Sequence, residues 1–121
     1  MAAMRARDAV GAYGERVATR HLISEGMQIL DRNWRCRDGE IDIIARDAES
    51  LVFCEVKTRR SHAYGTPVEA VVAAKARRLR RLAAAWLAAH ETHAPEIRFD
   101  VIGVVPQPFG AASVEHLRGA F

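Results

Sequence analysis

The side chains best placed by type and spacing to do chemistry are Asp42, Glu55 and Lys57, in the stretch Gly39–Arg59 that reads GEIDIIARDAESLVFCEVKTR. Two runs that alternate apolar and polar residues, Glu40–Arg46 and Leu51–Arg59, flank the polar segment Asp47-Ala48-Glu49-Ser50, a pattern that predicts a β-hairpin. Antiparallel pairing about the Ala48/Glu49 midpoint, with an even turn and no bulge, sets Asp42 against Glu55, Glu40 against Lys57 and Ile44 against Phe53. Alternation then puts all six side chains on one face. Directly opposed residues have Cβ atoms about 5 Å apart, where like charges repel. A hard divalent cation such as Mg²⁺ held between Asp42 and Glu55 reverses the sign of that interaction, because such an ion takes one or two carboxylates and keeps the rest of its shell for water and phosphate.

The elements that must position these groups follow from the rest of the chain. Residues Arg5–Glu25 predict a first helix, with Val10, Gly14, Val17, Ala18, His21 and Leu22 at helical spacing and Gly26 suited to follow its C-terminus. Glu15 lies at the edge of that stripe, where most glutamates reach solvent, and His21 reads as a packed core histidine rather than a ligand. Met27–Arg35 predicts a strand of imperfect alternation, with Arg37-Asp38-Gly39 as the turn into the hairpin. Leu51–Val56 is apolar on both faces apart from Glu55, as in an interior strand covered on both sides; burying Glu55 and Lys57 there is costly unless they are paired or metal-bound. After the loop 60–67, a helix over Val68–His90 carries the stripe Val68, Val71, Val72, Leu79, Leu82 and Trp86, with Lys75 in its middle. Two readings of Lys75 stand: its stem snorkels to the helix edge, or its amine points at the acidic face of the hairpin. Glu96–Val105 predicts a fourth strand, parallel to the third across the helical crossover, and Ser113–Leu117 an edge strand. The expected architecture is α/β: one mixed sheet flanked by helices, in the order α-β-β-β-α-β-(β).

Composition bounds the reading. At 121 residues, half of them hydrophobic and 27% charged, the chain has the size and balance of a single globular domain over 1–121. It has no apolar run of the roughly 20 residues that span a bilayer, and its first residues lack the apolar core of a signal peptide, so a cytoplasmic location without membrane attachment is expected. Cys36 and Cys54 are too few and too unpatterned for a disulfide framework or a zinc site. Cys54 faces away from Asp42 and Glu55 and reads as a small buried hydrophobe. The net charge of +3 is modest but uneven. Lys57, Arg59 and Arg60 cluster at the end of the hairpin, and Lys75, Arg77, Arg78, Arg80 and Arg81 crowd one helix. Such clusters are the footprint expected of a phosphate-backbone binder, although a charge run alone more often marks a solvated helix face.

An acidic residue in one strand followed by an acidic-x-Lys tripeptide in the next, within this element order, resembles the PD-(D/E)XK nuclease superfamily. The wider set is more specific: Gly14-Glu15-x-x-Ala18, Asn33-x-Arg35, Gly39-Glu40-Ile41-Asp42-Ile43-Ile44-Ala45, Phe53-x-Glu55-Val56-Lys57-Thr58-Arg59, Lys75, Arg98-Phe99-Asp100-Val101-Ile102 and the terminal Ala120-Phe121. Over essentially the whole chain these motifs resemble the YraN-like family, a bacterial group related by fold to archaeal Holliday-junction resolvases. The resemblance implies a restriction-endonuclease-like fold, with Asp42, Glu55 and the Val56 backbone carbonyl as ligands of Mg²⁺ or Mn²⁺. It implies that Lys57 positions or deprotonates the attacking water, and that Glu15 completes the metal site through water. Cys54 stands where the family pattern expects valine, on the face away from the chemistry.

Phosphodiester hydrolysis needs an activated water, charge neutralisation on the phosphate and in-line geometry, which divalent cations and a positioned lysine supply. Arg59, Arg60, Lys75, Arg77, Arg78 and Arg81 would hold the nucleic-acid backbone. The leading expectation is a metal-dependent endonuclease acting on DNA, branched or structured DNA included. An alternative is a nucleic-acid-binding or accessory module that keeps the fold with little or no turnover. A third is a structural domain with a Glu40–Lys57 salt bridge, which leaves Asp42 facing Glu55 unexplained. Cutting a junction needs two sites and hence a homodimer, for which the sequence shows no distinct interface patch.

Overall fold

The computed structural model describes residues 6–59 and 73–121. Its elements run α1 (Ala6–Ser24), β1 (Gln28–Cys36), β2 (Gly39–Asp47), β3 (Ser50–Thr58), α2 (Ala73–Ala89), β4 (Glu96–Val105) and β5 (Ser113–Leu117). The five strands form one sheet in sequence order, β3 and β4 parallel and the other neighbours antiparallel. This is the mixed α/β sheet expected, in the order α-β-β-β-α-β-β. The loop 60–67 and the first turns of the second expected helix, with Arg60, Val68, Val71 and Val72, lie outside the described residues.

Alternation along β3 decides which helix covers which face. Val52 and Cys54 pack with Ala18 and Leu22 of α1, together with Ile43, Ala45, Ile102 and Val104. Leu51 and Phe53 face the other way, against Leu79, Leu82, Ala83 and Trp86 of α2. Leu51 to Cys54 have no exposed surface. At about 25 cal/mol per Å² of apolar surface, burial on both faces holds β3 firmly in the centre of the sheet. Cys54 is a buried free thiol on the α1 face, its pKa raised by desolvation.

Local signals set the ends of these elements. α1 stops in a Schellman motif: Met27 N–H donates to Leu22 O at 3.0 Å and Gly26 N–H to Ile23 O at 3.0 Å, with Gly26 at φ +89°. The buried Met27 then packs in the same cluster as Leu22. The β2–β3 turn has two residues, Ala48 and Glu49, between the paired Asp47 and Ser50. The imperfect alternation of β1 has a structural cause. Its pairing with β2 shifts between Ile29 and Asp31, and Asn33 adopts a left-handed φ of 52°.

The motif at the C-terminus also has a packing role. Arg98 forks onto Asp100 at 2.9 and 3.1 Å, Ala120 N–H donates to Phe99 O at 2.7 Å, and the Phe121 ring lies 6.2 Å from that of Phe99. These contacts close the chain end onto β4.

Candidate metal centre and nucleic-acid interface

The β2–β3 ladder keeps the even register, from Asp47–Ser50 through Ile44–Phe53 to Ile43–Cys54, and there its paired positions end. One residue further along β2, Asp42 turns its carboxylate into the gap: Oδ2 accepts the Val56 N–H at 2.8 Å. A side chain takes the place of a backbone partner, which anchors Asp42 to the strand that carries Glu55 and Lys57.

Side-chain direction departs from simple alternation at this point. Ile41 and Ile44 both pack in the α2-side cluster, although three residues of regular strand would place them on opposite faces. The paired Trp34 of β1 sits with Ile41 in that cluster, one residue after the left-handed Asn33. Ile44 and Phe53 are paired and share the α2 side as expected, but the expected regular alternation does not run on through Ile41. Glu40 pairs with Arg35 across β1 rather than with Lys57, because β2 has a neighbour on each side and the nearer cation lies on the other one.

Glu15, Glu40 and Asp42 converge so that one carboxylate oxygen from each lies within 4.8 Å of the others, a spacing that could hold a metal ion. Glu15 comes from α1, where the chain passes close over β3: a Cβ on Gly14 would fall 1.7 Å from Thr58 Oγ1. The Asn33 side chain, at the left-handed position in β1, favours the ionised form of Glu15. Glu40 was not expected in this group. Its signal was the pair of acids two residues apart in Glu40-Ile41-Asp42, read as one pairing partner and one ligand.

Glu55 flanks Asp42 from the α2 side. Its Oε1 lies 3.8 Å from Lys75 Nζ, which favours the reading of Lys75 as pointing to the acidic face. Lys75 therefore belongs to the acidic site as much as to the basic helix. The electrostatics of the cluster follow from crowding. Burial first, then Glu55, then Glu15 and Glu40 push the Asp42 carboxyl up to about 8, against the partial relief of the Val56 N–H. Burial also raises Glu55, although Lys75, Lys57 and Arg78 draw it back. Glu15 is raised by burial and by Glu40, with the Asn33 hydrogen bond opposing. Burial and the neighbouring Lys75 ammonium depress the pKa of Lys57. Four carboxyl groups and two amines thus share a small, partly buried space.

The expected nucleic-acid residues distribute around this centre. Arg77, Arg78, Arg80 and Arg81 are exposed on α2, and the Arg80 guanidinium lies 5.7 Å from the centre of the Phe99 ring. Arg59 is half-buried at the end of β3, its N–H donating to Val104 O at 3.0 Å. Among the described residues, no helix is long and apolar enough to cross a membrane.

Comparison with known proteins fits this arrangement. Residues 14–104, from the glycine under α1 to the end of β4, match the model of the Uncharacterised protein family UPF0102. This chain belongs to the UPF0102 family. A UPF0102 protein of Beutenbergia cavernae is 63% identical over 116 residues, covering 96% of this chain and 98% of the relative. One from Frankia alni is 61% identical over 120 residues, covering 98% and 99%, and one from Kineococcus radiotolerans is 57% identical over 120 residues, covering 98% of each. UPF0102 is the YraN-like family of the PD-(D/E)XK-like superfamily, as the motifs led one to expect. Membership names no reaction.

Proposed function

We propose that this UPF0102 protein is a divalent-metal-dependent endonuclease that hydrolyses phosphodiester bonds of DNA, with branched or otherwise structured DNA among its substrates. The observation that carries the reading is the convergence of Asp42 with Glu15 and Glu40, with Glu55 near enough to raise Asp42 further and Lys57 near enough to Glu55 to draw it back. The residues present fit a hard cation: the donors are all oxygens, and burial together with their mutual repulsion raises Asp42, which a proton or a bound cation relieves. Asp42 and Glu55 would hold Mg²⁺ or Mn²⁺, with the Val56 carbonyl as a further ligand and Glu15 and Glu40 completing the acidic side. Bound there, the ion supplies Lewis acidity at the phosphate and a water activated for attack.

The remaining work falls to side chains. Lys57, its ammonium form disfavoured by burial and by Lys75, positions the attacking water and draws on its proton. Lys75 balances Glu55 and keeps it from competing for that proton. Arg77, Arg78 and Arg81, exposed on α2 beside Lys75, hold the phosphate backbone and set its register over the acidic centre.

The test is cleavage of end-labelled linear, flapped and four-way DNA with Mg²⁺ or Mn²⁺, by wild type and by Asp42→Ala, Glu55→Ala and Lys57→Ala. The reading expects ion-dependent cleavage that each substitution lowers by about 100-fold or more while circular dichroism stays unchanged. Cleavage that survives all three substitutions would sink it. Salt-dependent binding without cleavage under any ion would replace it with an accessory nucleic-acid-binding module.

A further inference from the structure

On the opposite side of the fold from Lys75, two histidines meet that are 95 positions apart in sequence. His21 Nε2 of α1 lies 3.0 Å from His116 Nδ1 of β5, with ring centroids 5.1 Å apart and planes at 76°. His21 is half-buried, and its partner comes from the edge strand.

The chemistry of the pair is set from behind. His116 Nε2 lies 2.7 Å from Asp100 Oδ2. Asp100 has no exposed surface and also accepts from the Arg98 guanidinium and from the Gly119 N–H at 3.0 Å. Burial alone would raise its pKa, but these three donors hold it below the ordinary carboxylate value. An ionised carboxylate can only accept, so His116 carries its proton on Nε2. The Nδ1 lone pair is therefore turned toward His21. A carboxylate behind a histidine, fixing its tautomer and raising its basicity, is the support that metal-ligating histidines characteristically have.

A third donor stands close. Glu25 follows the last residue of α1, four residues after His21, with Oε1 4.0 Å from His21 Nε2. Two nitrogens bound tetrahedrally to one zinc at about 2.0–2.1 Å are roughly 3.3 Å apart, close to the separation observed. Arg118 contacts Glu25 and Asp47 at 3.5 Å, and Arg98 contacts Asp47 and Asp100. An open cleft lined by Tyr13, Arg20, His21, Ser24 and Ala112 gives solvent access.

We propose that His21, His116 and Glu25 form a site for a transition-metal ion of the Zn²⁺ class, tying the C-terminal end of α1 to β5. The ion takes the place of the hydrogen bond between the imidazoles: the His21 proton moves from Nε2 to Nδ1, both rings stay neutral, and Glu25 turns from Arg118 to complete the ligand set with water. This site differs in chemistry from the all-oxygen cluster at Asp42, and the proposal stands whether or not the chain cuts DNA. Imidazole nitrogen selects borderline ions, whereas oxygen-only sites suit Mg²⁺ and Mn²⁺.

Zn²⁺ calorimetry and thermal melts in excess Mg²⁺, with Co²⁺ absorption as a spectroscopic readout, test the proposal. Wild type is expected to bind one Zn²⁺ with a rise in Tm and to give visible Co²⁺ bands typical of tetrahedral nitrogen ligation. His21→Gln, at a half-exposed position that leaves Asp100 and His116 in place, should weaken Zn²⁺ at least about 10-fold and abolish the bands. Glu25→Gln should weaken binding less, and Asp42→Ala should leave both readouts unchanged. Absence of Zn²⁺ binding in wild type, binding that His21→Gln leaves intact, or binding that Asp42→Ala removes would each overturn the assignment.

Discussion

Asp42 answers to four neighbours at once: the Val56 N–H that anchors it, Glu55 on the α2 side, and Glu15 with Glu40 on the α1 side. Without a cation this is a strained arrangement, with a definite sign in pH. The folded-state pKa of about 8 lies above the ordinary carboxylate value, so between about pH 4 and 8 the folded chain binds more protons than the unfolded one. Stability of the metal-free protein must then fall as pH rises through that window. Thermal melts in EDTA should show Tm decreasing from pH 5 to 8. Asp42→Asn should flatten the decrease and raise Tm near pH 8 by several degrees, on the scale of about 1 kcal/mol. A wild-type Tm that climbs over the same range would contradict this picture of the cluster. Lys57 offers a second test at this scale. Lys57→Arg keeps the charge but fixes it as a guanidinium, which cannot take a proton near neutral pH. Cleavage should drop about 100-fold while DNA binding measured by anisotropy stays nearly constant.

Among the elements, α1 and β3 meet most tightly at Gly14. With Thr58 Oγ1 at 1.7 Å and Thr58 Cβ at 2.9 Å from the position of an added methyl, Gly14→Ala must push helix and strand apart and carry Glu15 away from Asp42. Overpacking of this kind costs about 1–3 kcal/mol, which outweighs the roughly 1 kcal/mol that alanine gains in a helix interior. Chemical denaturation should show the net loss. Ion-dependent cleavage should fall further than stability alone explains. At this scale the sequence was legible where one signal decided the structure. The even turn at Ala48–Glu49 fixed the hairpin register, Gly26 marked the end of α1, and continuous apolar residues marked β3 as interior. It was not legible where two elements competed for one residue. Glu40 found Arg35 on β1 instead of Lys57 on β3, and the left-handed Asn33 let Trp34 and Ile41 join Ile44 against α2. Neither the strand period nor a count of charges records such a twist. The His21–His116–Asp100 chain was hidden for another reason, since its members come from three elements far apart in sequence.

For the whole molecule, the fold separates an acidic centre from the basic face of α2 and bridges them with Lys75. Exposed arginines that only position the backbone contribute through counterion release, so their effect must depend on salt. The double variant Arg77→Ala/Arg81→Ala should weaken DNA binding at low salt and reduce the slope of log K against log[salt] by roughly 1.8, about 0.9 per phosphate contact. An unchanged slope would show that α2 is a solvated face. The acidic centre itself is tested most directly by calorimetric titration of Mn²⁺ at pH 7 in two buffers of different ionisation enthalpy, which counts protons released. The account predicts that wild type binds Mn²⁺ with net proton release and that Asp42→Ala loses both the binding and the release. Mn²⁺ binding with no proton release, or binding undiminished in Asp42→Ala, would contradict it.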